Sequence, residues 1–365
     1  MSTQLRIDVH THFQSLDFIK HLLGRSGFPR SVREGGTYVI QCASGLNVPA
    51  LPKIMDIDKK LRDMDDLKID VAVLSHGLPF GPDVLSGRDA DEWAIRINDD
   101  LARIIAAYPG KFVAFGSLGF GDPQRSIAEV DRCAGQLGFS GFQIFSNISN
   151  RFLDSPEFQP VLKHIARLGM PVHLHPAIPL NRIGLNSPRQ FFPLGLPYDA
   201  TLNVVRLIES GLFDETPGLK LIVAHAGGVI PYLWGRISTF NEPSPLVTDS
   251  PRFQQPIDHY LGKLYVDTVC YRAEALQCCY QAMGADHLLY GTDHPFARYD
   301  VAAELIEQLD CPASDRELIY HGNAERLLRL EHPAAAAGSS TFAPTVCAHS
   351  VHGPKAGRVL GNKIS

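Results

Sequence analysis

Two histidines lie two residues apart near the start of the chain, in Ile7-Asp8-Val9-His10-Thr11-His12. A strand repeats every two residues, so both imidazoles share one face, where neutral ring nitrogens can clasp a divalent ion. A second pair stands in Pro171-Val172-His173-Leu174-His175-Pro176. His175 precedes the proline that must end this strand; His173, one layer deeper, reads as a satisfied core histidine. His225, in Val223-Ala224-His225-Ala226-Gly227-Gly228, follows another apolar run. Its ordinary pKa suits proton transfer near neutrality, and the two glycines let a ligand or another backbone come close. Asp293, in Tyr290-Gly291-Thr292-Asp293-His294-Pro295-Phe296, sits among apolar residues. A carboxylate there needs a partner, and a bound cation is the obvious one. His10, His12, His175 and Asp293 are therefore the candidate metal ligands, and His225 with Asp293 the candidate catalytic pair. Three nitrogens and one carboxylate suit Zn2+, with Mn2+ or Fe2+ open as alternatives.

Bringing these residues together requires a scaffold. Short runs rich in Val, Ile, Leu and Phe occur at Arg6–Val9, Asp70–Ser75, Phe112–Ser117, Gly141–Ile144, Pro171–His175, Leu219–Ala224, Leu264–Asp267 and Leu288–Tyr290. Such runs suit strands buried on both faces of a parallel sheet. Helical patterns separate them, near Asp91–Ala107, Pro123–Leu137, Ser155–Leu168, Ala200–Leu212, Tyr271–Met283, Val301–Leu309 and Ser314–Leu328. Eight strands alternating with helices predict an α/β fold, a (β/α)8 TIM barrel, whose catalytic face is the C-terminal end of the strands. Each candidate ligand falls at that end. An open doubly wound sheet would carry a glycine-rich phosphate loop after its first strand, where this chain has His-Thr-His. Phe13 to about Asp56 reads as an insertion over the barrel mouth. Residues 1–330 form the expected metal-dependent barrel domain, and 331–365 a disordered or loosely packed tail.

Composition narrows the class of partner. The chain has 34 Lys and Arg against 39 Asp and Glu, a formal charge of −5, which argues against nucleic acid. No stretch approaches the roughly 20 apolar residues of a spanning helix, and the start lacks an apolar signal core. Seven scattered cysteines form no C-x-x-C pair and suggest neither a disulfide framework nor a thiolate zinc site. A cytoplasmic enzyme acting on a small molecule, with no membrane partner, is the expectation.

IDVHTHF, KLRDMD, INDDLARIIAAYPGKFVAFGSL, GFSGFQI, VHLHP, GLFDETPGLKLIVAHAGG, PYLWGRIS, LYVDT and YGTDHPF together resemble the amidohydrolase superfamily, in the branch of aminocarboxymuconate-semialdehyde decarboxylase. The similarity runs from about Arg6 to Leu330. It implies a barrel with one divalent ion, usually zinc. His10, His12, His175 and Asp293 match the ligand positions and His225 the catalytic histidine. Arg236 matches an arginine that members insert into a neighbouring subunit's site, implying a homodimer or higher oligomer. Two arginines of the branch have no counterpart here, one in Thr37–Cys42 and one in Ser238–Glu242. The pocket offers aromatic candidates instead: Phe13, Phe80, Phe191, Phe192, Tyr198 and Phe296, of which Phe192 and Phe296 join Arg236 as candidate substrate contacts. The expected reaction is decarboxylation of a small aromatic or unsaturated acid, with metal-bound water and His225 as proton carrier. The alternative is a metal-dependent hydrolase of the same fold that opens a small nitrogen-bearing ring or removes an amine or nitro group from it. A third reading, a non-catalytic metal-binding scaffold, leaves His225 without a purpose.

Overall fold

The computed structural model describes residues 4–77, 80–185, 187–241 and 253–330; the expected tail lies outside the described residues. Eight parallel strands form one sheet in sequence order: β1 (Ile7–Phe13), β2 (Val71–His76), β3 (Phe112–Gly116), β4 (Gly141–Phe145), β5 (Val172–His175), β6 (Leu221–Val223), β7 (Leu264–Asp267) and β8 (Leu288–Leu289). Backbone bonds from Val9 N to Tyr290 O (2.9 Å), Asp293 N to His10 O (2.8 Å) and His12 N to His294 O (2.8 Å) bring the end of the sheet back to its start. The helical crossovers are α1 (Ile57–Leu67), α2 (Gly87–Ala107), α3 (Pro123–Gly135), α4 (Gln159–Arg167), α5 (Leu196–Glu209), α6 (Ile230–Asn241) and α7 (Ala273–Met283), and α8 (Ala302–Glu307) and α9 (Asn323–Leu328) follow β8. This is the expected (β/α)8 barrel. Local chemistry sets the helix starts. Asp122 caps α3 by accepting from the backbone of Gln124 and Arg125, with Pro123 in the first turn, and Asp56 caps α1 by accepting from Lys59 N.

Two apolar clusters follow from this layering. The larger lies between strands and helices. The smaller fills the barrel with Ile7, Val9, Val71, Val73, Phe115, Ile222 and Leu289, joined by Ala324, Leu327 and Leu328 of α9. Unbroken alternation from Ile7 and Val9 would turn His10 and His12 outward. A β-bulge prevents this: Asp8 pairs with Ala72 but Thr11 with Leu74, so three steps of β1 match two of β2. Val9 and His10 consequently both face inward, and His12 follows His10.

The insertion holds a three-stranded antiparallel sheet (Arg30–Glu34, Thr37–Ala43 and Leu46–Pro49) between short helices Leu16–His21 and Pro52–Met55. Ile40, Cys42, Leu46 and Val48 bury against the larger cluster. Phe18 packs edge-on against His76 at the end of β2, which anchors the insertion at the catalytic end. The six cysteines among the described residues are free.

Candidate metal centre

His10, His12, His175 and Asp293 come together at the C-terminal ends of β1, β5 and β8, all buried, each offering one ligand atom within 4.8 Å of the others. His10 Nε2 is 3.1 Å from His12 Nε2, His12 Nε2 is 3.0 Å from Asp293 Oδ1, and His10 Nε2 is 3.4 Å from the same oxygen. Ligand bonds of about 2.0–2.2 Å place neighbouring donor atoms roughly 3.0–3.5 Å apart, so these separations fit one shared ion. His175 donates from Nδ1 to Pro176 O at 3.0 Å, which leaves a lone pair on its buried, unpartnered Nε2. The donor set fits a divalent cation.

Burial also sets the protonation states. It lowers His12 to about 4 and His175 well below the usual range. Burial would raise Asp293, but hydrogen bonds from His12 and His225 overcome it and hold the carboxyl well below its ordinary value. At neutral pH these three are already neutral, neutral and ionised, as ligation requires. His10 differs: burial opposes its charge, yet the hydrogen bond to Asp267 raises its pKa.

His225 stands beside the four ligands, its Nε2 3.7 Å from Asp293 Oδ2 and its buried Nδ1 unpartnered. It occupies a left-handed backbone conformation (φ 57°), as does Ala226 (φ 54°). The glycines that follow serve backbone packing: a Cβ on Gly228 would lie 2.5 Å from Pro197 O and Thr201 Oγ1 of α5.

Sequence reasoning missed two supporting residues. Asp267, at the end of β7, accepts from His10 Nδ1 at 2.6 Å and from three backbone amides. The sequence signals were an acid ending a strand at the catalytic face and its place in the LYVDT motif. Close approach of β7, β8 and β1 here depends on Gly291, whose Cβ would meet Asp267 Cβ at 2.9 Å and His10 Cβ at 3.1 Å. Lys60 of α1 is 1% exposed; its Nζ donates to His294 Nδ1 at 2.8 Å, and His294 donates from Nε2 to Asp63 at 2.8 Å. This chain fastens the loop after Asp293 to α1. Burial lowers Lys60 to about 7 and raises Asp8, outside the barrel beneath it, to about 6.

The remaining expectations divide. His173 is buried, but neither ring nitrogen has a hydrogen-bond partner among the described residues; the reading of a satisfied core histidine is corrected. The rings of His10, at 4.7 Å, and Phe115, at 5.7 Å between centroids, flank it, and a carboxylate oxygen of Asp267 lies within 4.8 Å of it. Phe296 lies 5.5 Å from the His12 ring, at the site. Phe192 is 40% exposed and packs on Phe191, and Tyr198 is exposed, whereas Phe13, Phe80 and Phe191 are buried core. Arg236 is exposed on α6, its guanidinium 4.9 Å over the Phe240 ring, so the chain by itself does not bring it to the ligands. No helix among the described residues is long and apolar enough to cross a membrane.

Known proteins resemble this chain in sequence and fold. A γ-resorcylate decarboxylase of Polaromonas sp. is 31% identical over 291 residues, 76% of this chain and 89% of that protein. The 2-amino-3-carboxymuconate-6-semialdehyde decarboxylase of Dictyostelium discoideum is 29% identical over 337 residues, 90% of this chain and 92% of its own length. A solved dihydroxybenzoic acid decarboxylase from Polaromonas sp., with bound manganese and the inhibitor 2-nitroresorcinol, superposes with a TM-score of 0.74 at 26% identity, covering 90% of this chain and 97% of that one. These relatives are carboxy-lyases. The Amidohydrolase family profile matches residues 7–330, and with a buried His3Asp group at the mouth of a (β/α)8 barrel, the chain belongs to the amidohydrolase family.

Proposed function

We propose that the protein is a metal-dependent decarboxylase of a small aromatic or unsaturated mono-acid. The observation that carries this reading is the convergence of His10, His12, His175 and Asp293, with His225 beside them and outside the ligand set. A divalent ion held by these four would supply Lewis-acid polarisation of a substrate oxygen. We assign zinc on the donor set; manganese, bound in the Polaromonas structure, is the alternative that metal analysis separates. The bond from the ring or chain carbon to the carboxylate breaks, and that carbon takes a proton. His225 is the group to deliver it, because its ring lies against the ligand set with a buried nitrogen free. Phe296 forms an apolar wall beside His12 suited to a flat ring, and Phe192 is the more exposed substrate contact. Arg236 contacts substrate from a neighbouring copy, in a homodimer or larger assembly acting in the cytoplasm. Residues 1–330 carry the activity, so a chain ending at Leu330 should retain it.

A panel of ring mono-acids, dicarboxylates and uncharged heterocycles, assayed in isotope-labelled water, tests the reaction. The expected result is release of CO2 with one solvent hydrogen on the product carbon. Solvent oxygen in the product, with released amine, nitrite or an opened ring, would assign a hydrolase instead. Fast turnover of a dicarboxylate would overturn the mono-acid assignment.

A further inference from the structure

We infer that Asp267 is a positioning residue that couples two parts of the centre, fixing the ligand His10 and the backbone turn of His225 with one carboxylate. The inference rests on the metal-centre reading above. Asp267 is fully buried at the end of β7. Its Oδ2 accepts from His10 Nδ1 at 2.6 Å and from the backbone N–H of His225 at 3.0 Å. Its Oδ1 accepts from the N–H groups of Ala226 at 2.8 Å and Val269 at 3.0 Å. Four donors use the whole acceptor capacity of one ionised carboxylate.

Each bond has a separate consequence. The bond to His10 holds the ring proton on Nδ1, so the Nε2 lone pair faces His12 and Asp293. The bonds to His225 and Ala226 hold two successive residues with φ near +55°, a region that residues with a side chain avoid. Without that turn, the His225 ring leaves its place beside Asp293. Gly291, packed against the Cβ atoms of both Asp267 and His10, leaves the carboxylate no room to shift.

An amide in place of the carboxylate cannot accept all four bonds. If its NH2 replaces Oδ2, it opposes the N–H of His10 and favours the other tautomer; if it replaces Oδ1, the turn loses its anchor at Ala226, and the neutral amide oxygen left to His10 holds that ring more weakly than a carboxylate does. The test is Asp267→Asn in the full chain, with metal affinity read by competition against a chromogenic chelator and kcat read at saturating metal. Affinity should fall about 10–100-fold, and kcat should fall as well. In a His225→Asn background the same substitution should again weaken metal binding but lower kcat no further. Unchanged metal affinity, or kcat losses that simply multiply, would overturn the inference. If Asp267→Asn does not fold, the measurements are made in an Ala226→Gly background, where the left-handed turn is accessible to glycine. A wild-type chain that binds no divalent metal would refute the metal-centre reading itself; a metal-binding wild type with an indifferent Asp267→Asn refutes only the coupling.

Discussion

Removing metal from this chain should leave it acid-labile, and the structure sets the size of the effect. Burial holds His12 at about 4, His76 and His294 at about 3, and His173 and His175 well below the ordinary value of 6.5. In each case the folded pKa lies below the unfolded one. The stability each contributes is therefore complete above pH 6.5 and is lost as pH falls toward the folded value, because the unfolded chain binds the proton first. At pH 5.5 each withheld proton costs about 1.4 kcal/mol, and the five together about 7 kcal/mol. His10 works the other way: its pKa is raised, so a contribution partly lost at pH 7.5 is regained by pH 5.5 and offsets up to about 1.4 kcal/mol, and the buried acids Asp8 and Asp83, raised to about 6 and about 7, offset roughly 2–3 kcal/mol more. The net loss, about 3 kcal/mol, is still a large share of the stability of an ordinary domain, about 5–15 kcal/mol. Urea unfolding of the chelator-treated chain at pH 7.5 and 5.5, followed by fluorescence of the buried Trp93 and Trp234, measures it. His76→Gln should return about 1.4 kcal/mol of the loss at pH 5.5. A midpoint that is the same at both pH values, at constant slope, would show that the histidine cluster is not held neutral.

Three further outcomes concern the site. His12→Ala and Asp293→Ala should each remove metal and activity together, as metal analysis and turnover will show; an unchanged metal content would refute the ligand set. His225→Asn should keep the metal and lower kcat by about 10²–10⁴-fold, and loss of metal instead would make His225 a ligand. Inactive Arg236→Ala and inactive His12→Ala chains should regain part of the activity when combined in verified heterodimers, since one site in each would then be intact; no recovery would count against a shared site.

The barrel was legible because its strands are short runs buried on both faces, and because His10, His175 and Asp293 each stand where such a run meets Thr, Pro or His. The sheet of the insertion was missed although a signal existed. Gly35 and Gly36, both at positive φ, form a hairpin turn between the paired Arg30–Glu34 and Thr37–Ala43. The environments of Asp267, Lys60 and His173 were not legible. Asp267 meets His10 across 257 residues and Lys60 meets His294 across 234, and no local period encodes such pairings. Parity placed His10 and His12 on one face but could not say which face.

That choice of face depends on chain length as much as on residue type. Between Asp8 and Thr11, β1 carries one residue more than its partner strand. The strand therefore resembles a reading frame with a built-in slip: odd-numbered Ile7 and Val9 are read into the barrel floor, even-numbered His10 and His12 into its mouth. Unbroken alternation from Ile7 and Val9 would turn both histidines outward, removing two ligands at once where a substitution removes one; deleting Val9 as well would carry His10 into its place and face both inward again. For this segment, register decides which side chains can meet at the mouth before residue identity decides whether they can hold an ion.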